Sequence, residues 1–191
     1  MHIFIKMKRD LTKTTKIPEG VTVEVQGVGG KTITAKGSQG EFKRTFKFKK
    51  ILIEKKENGI VLSCKKASKK EKRMISTISS HIANMIHGVN EKFEYELKVC
   101  NSHFPMTVEY KVGDKIAIIK NFLGEKIPRK VKIQNGAEVD VKKDIIIVKS
   151  TNKEIAGQTA ANFEKATFVS LRDRRVFQDG IFITKKPGRE I

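Results

Sequence analysis

Tryptophan is absent from this 191-residue chain, and tyrosine and cysteine occur twice each. No strand-like segment carries the aromatic-x-aromatic platform on which unpaired bases stack. Phe42, Phe46 and Phe48 do alternate along one strand, but that spacing more often marks a core face. The two cysteines, Cys64 and Cys100, lie 36 positions apart with no paired spacing, which points to free, buried thiols in a reducing compartment. Long apolar runs are missing too. The longest pure aliphatic run covers residues 145–148, far short of a membrane span. Residues 1–8 hold only a three-residue apolar run, Ile3-Phe4-Ile5, before a basic cluster, so no signal peptide is expected. A soluble intracellular protein is the expectation.

Acidic residues are also scarce. Forty Lys and Arg stand against 21 Asp and Glu, a net charge of +19. The first 100 residues carry 22 basic and 10 acidic groups and the remainder 18 and 11, so the excess belongs to both halves and not to a tail. Hydrophobic content of 38% supports a packed core. A folded chain with that much positive charge repels itself, and a polyanionic partner explains it economically. A membrane surface is a poorer explanation, because no Lys-rich segment forms a continuous amphipathic helix with large apolar residues.

What the sequence does contain is one pattern written twice. Residues 17–36 run strand, glycine turn, strand, and residues 104–120 repeat that order. Lys31 and Lys115, Lys36 and Lys120, and Gly40 and Gly124 are each 84 positions apart. Basic strands at 42–48 and 127–133 correspond, as do apolar strands at 60–64 and 145–148. Each half then reads as a helix opened by a capping box, Ser68-Lys69-Lys70-Glu71 and Thr151-Asn152-Lys153-Glu154. The first helix carries the stripe Ile75, Ile78, Ile82, Met85, Ile86 and is expected to stop at Gly88. The second carries the weaker stripe Ile155, Thr159, Phe163, Ala166. The expected fold is α+β, two tandem duplicated domains, each a small antiparallel β-sheet packed against one α-helix. They are assigned to residues 1–95 and 96–191, with residues 93–99 read as the first unit's last strand and no Pro/Gly/Ser-rich linker between them.

Signals of catalysis are weak. Gly27-x-Gly29-Gly30 precedes a strand and not a helix, so it serves a hairpin better than a nucleotide phosphate. Cys100 and His103 have a ligand-like spacing without a second pair, and His81 and His87 are rotated about 240° apart on a helix. A metalloenzyme built on Cys100 and His103 is therefore a distant third reading. No metal, cofactor or small-molecule substrate is expected, and the chain is read as a non-enzyme.

The cations say more. Lys69, Lys70, Lys72 and Arg73 occupy the first turns of the first helix, where they oppose the macrodipole, and Lys65 and Lys66 precede them. We read these six as a phosphate-contacting patch. Arg172, Arg174 and Arg175 follow the second helix, where cations are favourable at a C-terminus without any partner; three arginines beside a turn also suit phosphate contacts, and physics alone leaves the choice open. Lys185 and Lys186 extend the candidate RNA-binding set. In the stretch NFLGEKIPRK, Asn121 and Gly124 read as turn formers, with Asn121, Lys126, Arg129 and Lys130 facing RNA. The matching first-half loop, residues 37–40, has neither Phe nor Leu. Phe122 and Leu123 are divided between wedging the two domains and touching RNA. Folded RNA, read through phosphate, 2′-hydroxyl and shape, is favoured over unpaired bases; charge alone does not exclude DNA.

Five stretches then carry a family resemblance: residues 17–23 (IPEGVTV), 75–89 (ISTISSHIANMIHGV), 102–105 (SHFP) and 121–126 (NFLGEK), and Arg172-x-x-Arg175-x-Phe177-x-Asp179-Gly180-Ile181-Phe182. On these the chain resembles the large-subunit ribosomal protein family called universal protein six, protein nine in eukaryotic cytosolic ribosomes. The resemblance implies two duplicated α+β domains acting as a scaffold, with much of the RNA contact in the C-terminal one. It also implies binding to large-subunit ribosomal RNA near the sarcin–ricin loop and stalk base, among neighbouring large-subunit proteins and close to docking translation factors, in the cytosolic ribosome. Gly37-Ser38-Gln39-Gly40 lacks the family's proline, and Lys165 stands where a glutamine is usual. The alternative is an extra-ribosomal module binding structured RNA or DNA.

Overall fold

The structure is a computed structural model and describes residues 9–27, 31–48, 50–56, 59–173 and 175–191. The chain forms two compact units, Met1–Glu91 and Lys92–Ile191. In the first, strands β1 (Arg9–Lys16), β2 (Thr22–Gln26), β3 (Lys31–Gly37), β4 (Gly40–Phe46), β5 (Leu52–Lys56) and β6 (Gly59–Ala67) precede helix α1 (Lys69–Asn90). They pair antiparallel as two sheets, in the orders β1-β6-β5 and β2-β3-β4. The alternation read from the sequence places Ile33 and Ala35 of β3 and Ile60, Leu62 and Cys64 of β6 inside, against Ile75, Ile78, Ile82, Met85 and Ile86 of α1. Phe46 is buried and Phe42 and Phe48 pack beside it, so this aromatic face belongs to the core.

The second unit repeats the plan. Strands β7 (Phe93–Cys100), β8 (Thr107–Lys111), β9 (Ile116–Lys120), β10 (Arg129–Lys132), β11 (Glu138–Lys142) and β12 (Ile145–Ser150) precede α2 (Lys153–Ala166), and β13 (Gly180–Lys186) and β14 (Arg189–Glu190) follow it. The sheets run β10-β9-β8 and β11-β12-β7-β13-β14. The α+β class and the tandem duplication stand, but each unit carries two sheets where one was expected.

The boundary moves as well. β7 pairs with β12 as β1 pairs with β6, and β1 and β7 lie 84 positions apart from first residue to last. Residues 93–100 therefore open the second unit instead of closing the first, and the division falls at 91/92, four residues before the expected 95/96. Sequence concealed this because the two copies have different surroundings. β7 lies between β12 and β13 and buries alternate side chains, whereas β1, RDLTKTTK, pairs only with β6 among the described strands and is mostly exposed.

Helix ends refine the sequence reading. Ser68 caps α1, and both halves of its capping box form with Glu71. The helix runs through Gly88, which is buried inside it, and ends at Asn90. α2 is capped by Asn152 and not Thr151: Asn152 Oδ1 accepts from the Glu154 amide at 2.9 Å. Its buried residues are Ala156, Thr159, Ala160 and Phe163. Of the glycine turn, residues 28–30 lie outside the described residues; β2 and β3 pair antiparallel around it.

The turn between β3 and β4 sits on the C-terminus of α1. The Gln39 amide donates to the Val89 carbonyl at 2.9 Å, and Ser38 Oγ to the Asn90 carbonyl at 3.0 Å, satisfying carbonyls the helix itself leaves open. A Cβ on Gly37 would stand 2.6 Å from the Val89 carbonyl oxygen, which is backbone and has little room to yield. Gly37→Ala is expected to cost about 2 kcal/mol, the range of an overpacked site. A urea melt checks this, and an unchanged midpoint would show that the turn moves freely off the helix.

Candidate nucleic-acid interface

Around the start of α1, Lys65, Lys66, Lys69, Lys70, Lys72 and Arg73 are all exposed. Lys66 adopts a left-handed conformation (φ 50°) at the end of β6, and its amide donates to Asp10 Oδ1 at 2.7 Å. Glu71 turns back onto Ser68; its side-chain hydrogen bond to Ser68 is the main cause that lowers its pKa. The only acid in that turn is thus engaged with the cap, and the six cations stay exposed around it.

In the second unit the expected cations separate into two kinds. Arg129 is structural. Its Nε and Nη2 bind both carboxylate oxygens of Glu125 at 2.8 and 2.6 Å, and Nη1 donates to the Ala166 carbonyl at 2.7 Å. The guanidinium also lies 4.2 Å from the centre of the Phe122 ring. Most of its donors are engaged inside the unit, so Arg129 serves the fold, where the sequence suggested an RNA-facing cation. α2 ends at Ala166, several residues before Arg172 and Arg175; Lys165 stands in its last turn and Arg129 binds the Ala166 carbonyl.

Asn121 is likewise a structural residue. It sits in left-handed conformation (φ 59°), and its side chain donates to the Pro105 carbonyl at 2.9 Å. Phe122 is buried in the core of its own unit, with Leu123 packed partly against that core. Lys126 and Lys130 are exposed. Lys185 is exposed but pairs with Glu96 at 3.1 Å, and that hydrogen bond raises its pKa. Lys186 is half-buried, and Arg174 lies outside the described residues.

Arg172 and Arg175 are exposed, as expected. Arg172 packs 4.7 Å from the centre of the Phe177 ring, and the His103 ring stacks on the same phenylalanine at 5.4 Å and 23°. A guanidinium held through its face keeps its in-plane donors for a phosphate. The anchor beneath is Asp179, which is buried. It accepts from the Ser102 amide at 2.7 Å, from the His103 amide at 3.0 Å and from His103 Nδ1. Spacing alone offers His103 only as a weak ligand partner for Cys100 and gives Asp179 and Phe177 no role. The signal was present in the fifth stretch of the resemblance, where all but its histidine partner stand together. Ser102–Pro105, Asn121–Lys126 and Arg172–Phe182 are far apart in sequence and meet in this one unit. Around them Phe104, Phe168, Leu171 and Val176 expose apolar surface.

Cys64 is buried and Cys100 half-buried, and both are free. Among the described residues no helix is long and apolar enough to cross a membrane.

The model of one family, ribosomal protein L6, matches twice, over residues 17–92 and 104–180, which is the duplication seen in the sheets. The large ribosomal subunit protein uL6 of Methanobrevibacter smithii is 46% identical over 171 residues, 90% of this chain and 93% of its own. Its namesake in Methanosphaera stadtmanae is 45% identical over 183 residues, 95% and 97% of the two chains. That of Methanosarcina mazei is 43% identical over 180 residues, 94% and 99%. All three organisms are archaea.

Proposed function

The chain belongs to the ribosomal protein L6 family, and from this premise we propose that it is a structural, non-enzymatic constituent of the large ribosomal subunit. It binds ribosomal RNA near the sarcin–ricin loop and the stalk base, in the cytosolic ribosome, with other large-subunit proteins as neighbours. In that place it supports the surface on which translation factors dock. The observation that carries this reading is the double family match over both units of a chain whose +19 charge is shared between its halves. Two basic surfaces supply the contacts: residues 65–73 around the start of α1, and the second unit's Lys126, Lys130, Arg172 and Arg175. Lysines and arginines on folded RNA neutralise phosphates and release counterions, so affinity falls as salt rises.

Density-gradient fractionation of a cell extract tests the reading, with co-sedimentation in the large-subunit peak expected. Recovery only in light soluble fractions would overturn it in favour of an extra-ribosomal RNA- or DNA-binding module.

Arg172→Ala with Arg175→Ala should weaken binding to large-subunit RNA and lower the salt slope by about one to two units, at ~0.7–0.9 per phosphate contact. The melting curve should shift little, because Arg129 binds the end of α2 and the exposed Arg172 loses only its packing on Phe177, about 0.5–1 kcal/mol. An unaltered slope would remove both arginines from the interface.

A further inference from the structure

We propose that the second unit holds a receptor for one unstacked nucleobase of the bound RNA, in the cleft formed by His103, Phe104, Leu123, Glu125, Arg172 and Phe177. The inference rests on the RNA-binding reading above and adds a mode of contact that phosphate neutralisation does not supply.

The cleft encloses about 250 Å³, the volume of roughly eight waters at about 30 Å³ each. That accommodates a flat heterocycle and is too small for a helix or a strand. Its walls are chosen for such an occupant. Phe104 is 48% exposed, and a Cβ on Gly124 would be 3.7 Å from its ring, so the ring rests on the turn with its remaining surface free. Phe177 lines the cleft too, with the His103 ring stacked on it and the Arg172 guanidinium over it, so planar groups gather there. Every nucleobase has a π-face, and aromatic and guanidinium planes are the groups that stack on it. Polar groups stand at the rim. His103 Nδ1 is held by Asp179, leaving Nε2 as the ring's other hydrogen-bonding nitrogen, and Arg172 offers N–H donors. An aliphatic peptide side chain would use neither, and an acidic peptide would not need the rings.

The cleft is also preorganised. Leu123 sits at φ 48°, ψ 32°, a conformation that a bulky residue adopts only when its surroundings impose it. Asp179 fixes the backbone of Ser102 and His103, and Asn121 ties the turn to Pro105. The two sides of the cleft are therefore set before RNA arrives, which reduces the ordering cost of binding.

The test is footprinting of full-length large-subunit ribosomal RNA with the whole protein, comparing wild type, Phe104→Ala and Phe104→Tyr. Hydroxyl-radical cleavage reports the backbone footprint and dimethyl sulfate the base edges. Wild type and Phe104→Tyr should change the reactivity of one base that Phe104→Ala leaves as in free RNA, with the backbone footprint retained in all three. Phe104→Ala should bind about tenfold more weakly, the effect of losing one stacked base. Identical base reactivity in all three proteins would overturn the nucleobase receptor while leaving RNA binding intact. Absence of any backbone footprint would instead overturn the RNA reading itself. Phe104 is exposed enough for the alanine variant to fold, and its melting curve verifies this.

Discussion

Arg129→Met is expected to lower the stability of the protein by about 3 kcal/mol while leaving the salt dependence of RNA binding unchanged. Methionine keeps an unbranched, adaptable apolar stem, so much of the side chain's packing is kept although the guanidinium over Phe122 is lost. What disappears is the hydrogen bonding. The Ala166 carbonyl at the end of α2 loses its donor, and Glu125 loses a bidentate partner. Each buried or half-buried group left unsatisfied costs about 1–3 kcal/mol, with the lower part of that range fitting the more exposed Glu125. Arg129→Lys should recover less than half of the loss, because an ammonium cannot fork between a carboxylate and a carbonyl at once. A urea titration measures both variants. The side-chain hydrogen bond from Arg129 is the main cause holding the Glu125 carboxyl below its ordinary pKa of 4.5. A lowered folded-state value means that its stabilisation is present above that pH and lost as pH falls below it. The gap between wild type and Arg129→Met should therefore narrow in acid. A variant as stable as wild type but weaker on RNA would restore Arg129 to the interface.

Asp179→Ala should cost about 3 kcal/mol as well, and unlike Arg129→Met it should also weaken RNA binding. The carboxylate is buried and receives two backbone amides and an imidazole nitrogen. Its removal strands the Ser102 and His103 amides, at about 1–3 kcal/mol for each donor that water cannot reach. It also frees the segment bearing His103 and Phe104. Burial pushes the carboxyl's pKa up, but the bonds from the His103 amide, the His103 ring and the Ser102 amide together outweigh it, leaving the value below the ordinary 3.8. The sign follows as for Glu125: the contribution is complete above about pH 4 and is lost as pH falls through the depressed folded-state value. Thermal melts between neutral pH and pH 3 should show wild type converging on Asp179→Ala only at the acid end. Parallel curves throughout, or undiminished RNA affinity, would show that Asp179 neither titrates with folding nor positions the interface.

Arg129 and Asp179 were treated very differently by sequence reading. Arg129 was conspicuous, one cation in a basic loop, and was assigned to RNA because charge density is blind to partners. Asp179 was quoted only as part of a family stretch. Both roles depend on groups distant along the chain: Arg129 reaches Ala166, 37 positions away, and Asp179 reaches His103, 76 positions away. The unpaired-base mode was set aside for want of an aromatic strand. The cleft assembles its rings from loops, Phe104 before β8 and Phe177 before β13, where no periodicity could reveal them.

The contrast between the two copies explains the odd stretch NFLGEKIPRK. In the first unit, the tight turn 37–40 itself satisfies the end of α1. In the second, the chain makes a left-handed turn through Asn121, Leu123 and Gly124, buries Phe122 and satisfies α2 with Arg129 instead. That substitution leaves Leu123 and the surface of Gly124 to form one side of the cleft.

By itself the sequence determined the duplication, the α+β class, the apolar stripe of α1, the Ser68 capping box and a basic surface shared by both halves. These are set by spacing, by propensity and by net charge, which act between residues near in the chain or add over all of it. The tertiary structure alone decided that β7 begins the second unit, that Arg129 binds Glu125 and the last carbonyl of α2, and that Asp179, His103, Phe177 and Arg172 form one constellation. Those outcomes depend on which strand finds a second neighbour and which donor finds an unsatisfied carbonyl, and long-range folding fixes such pairings.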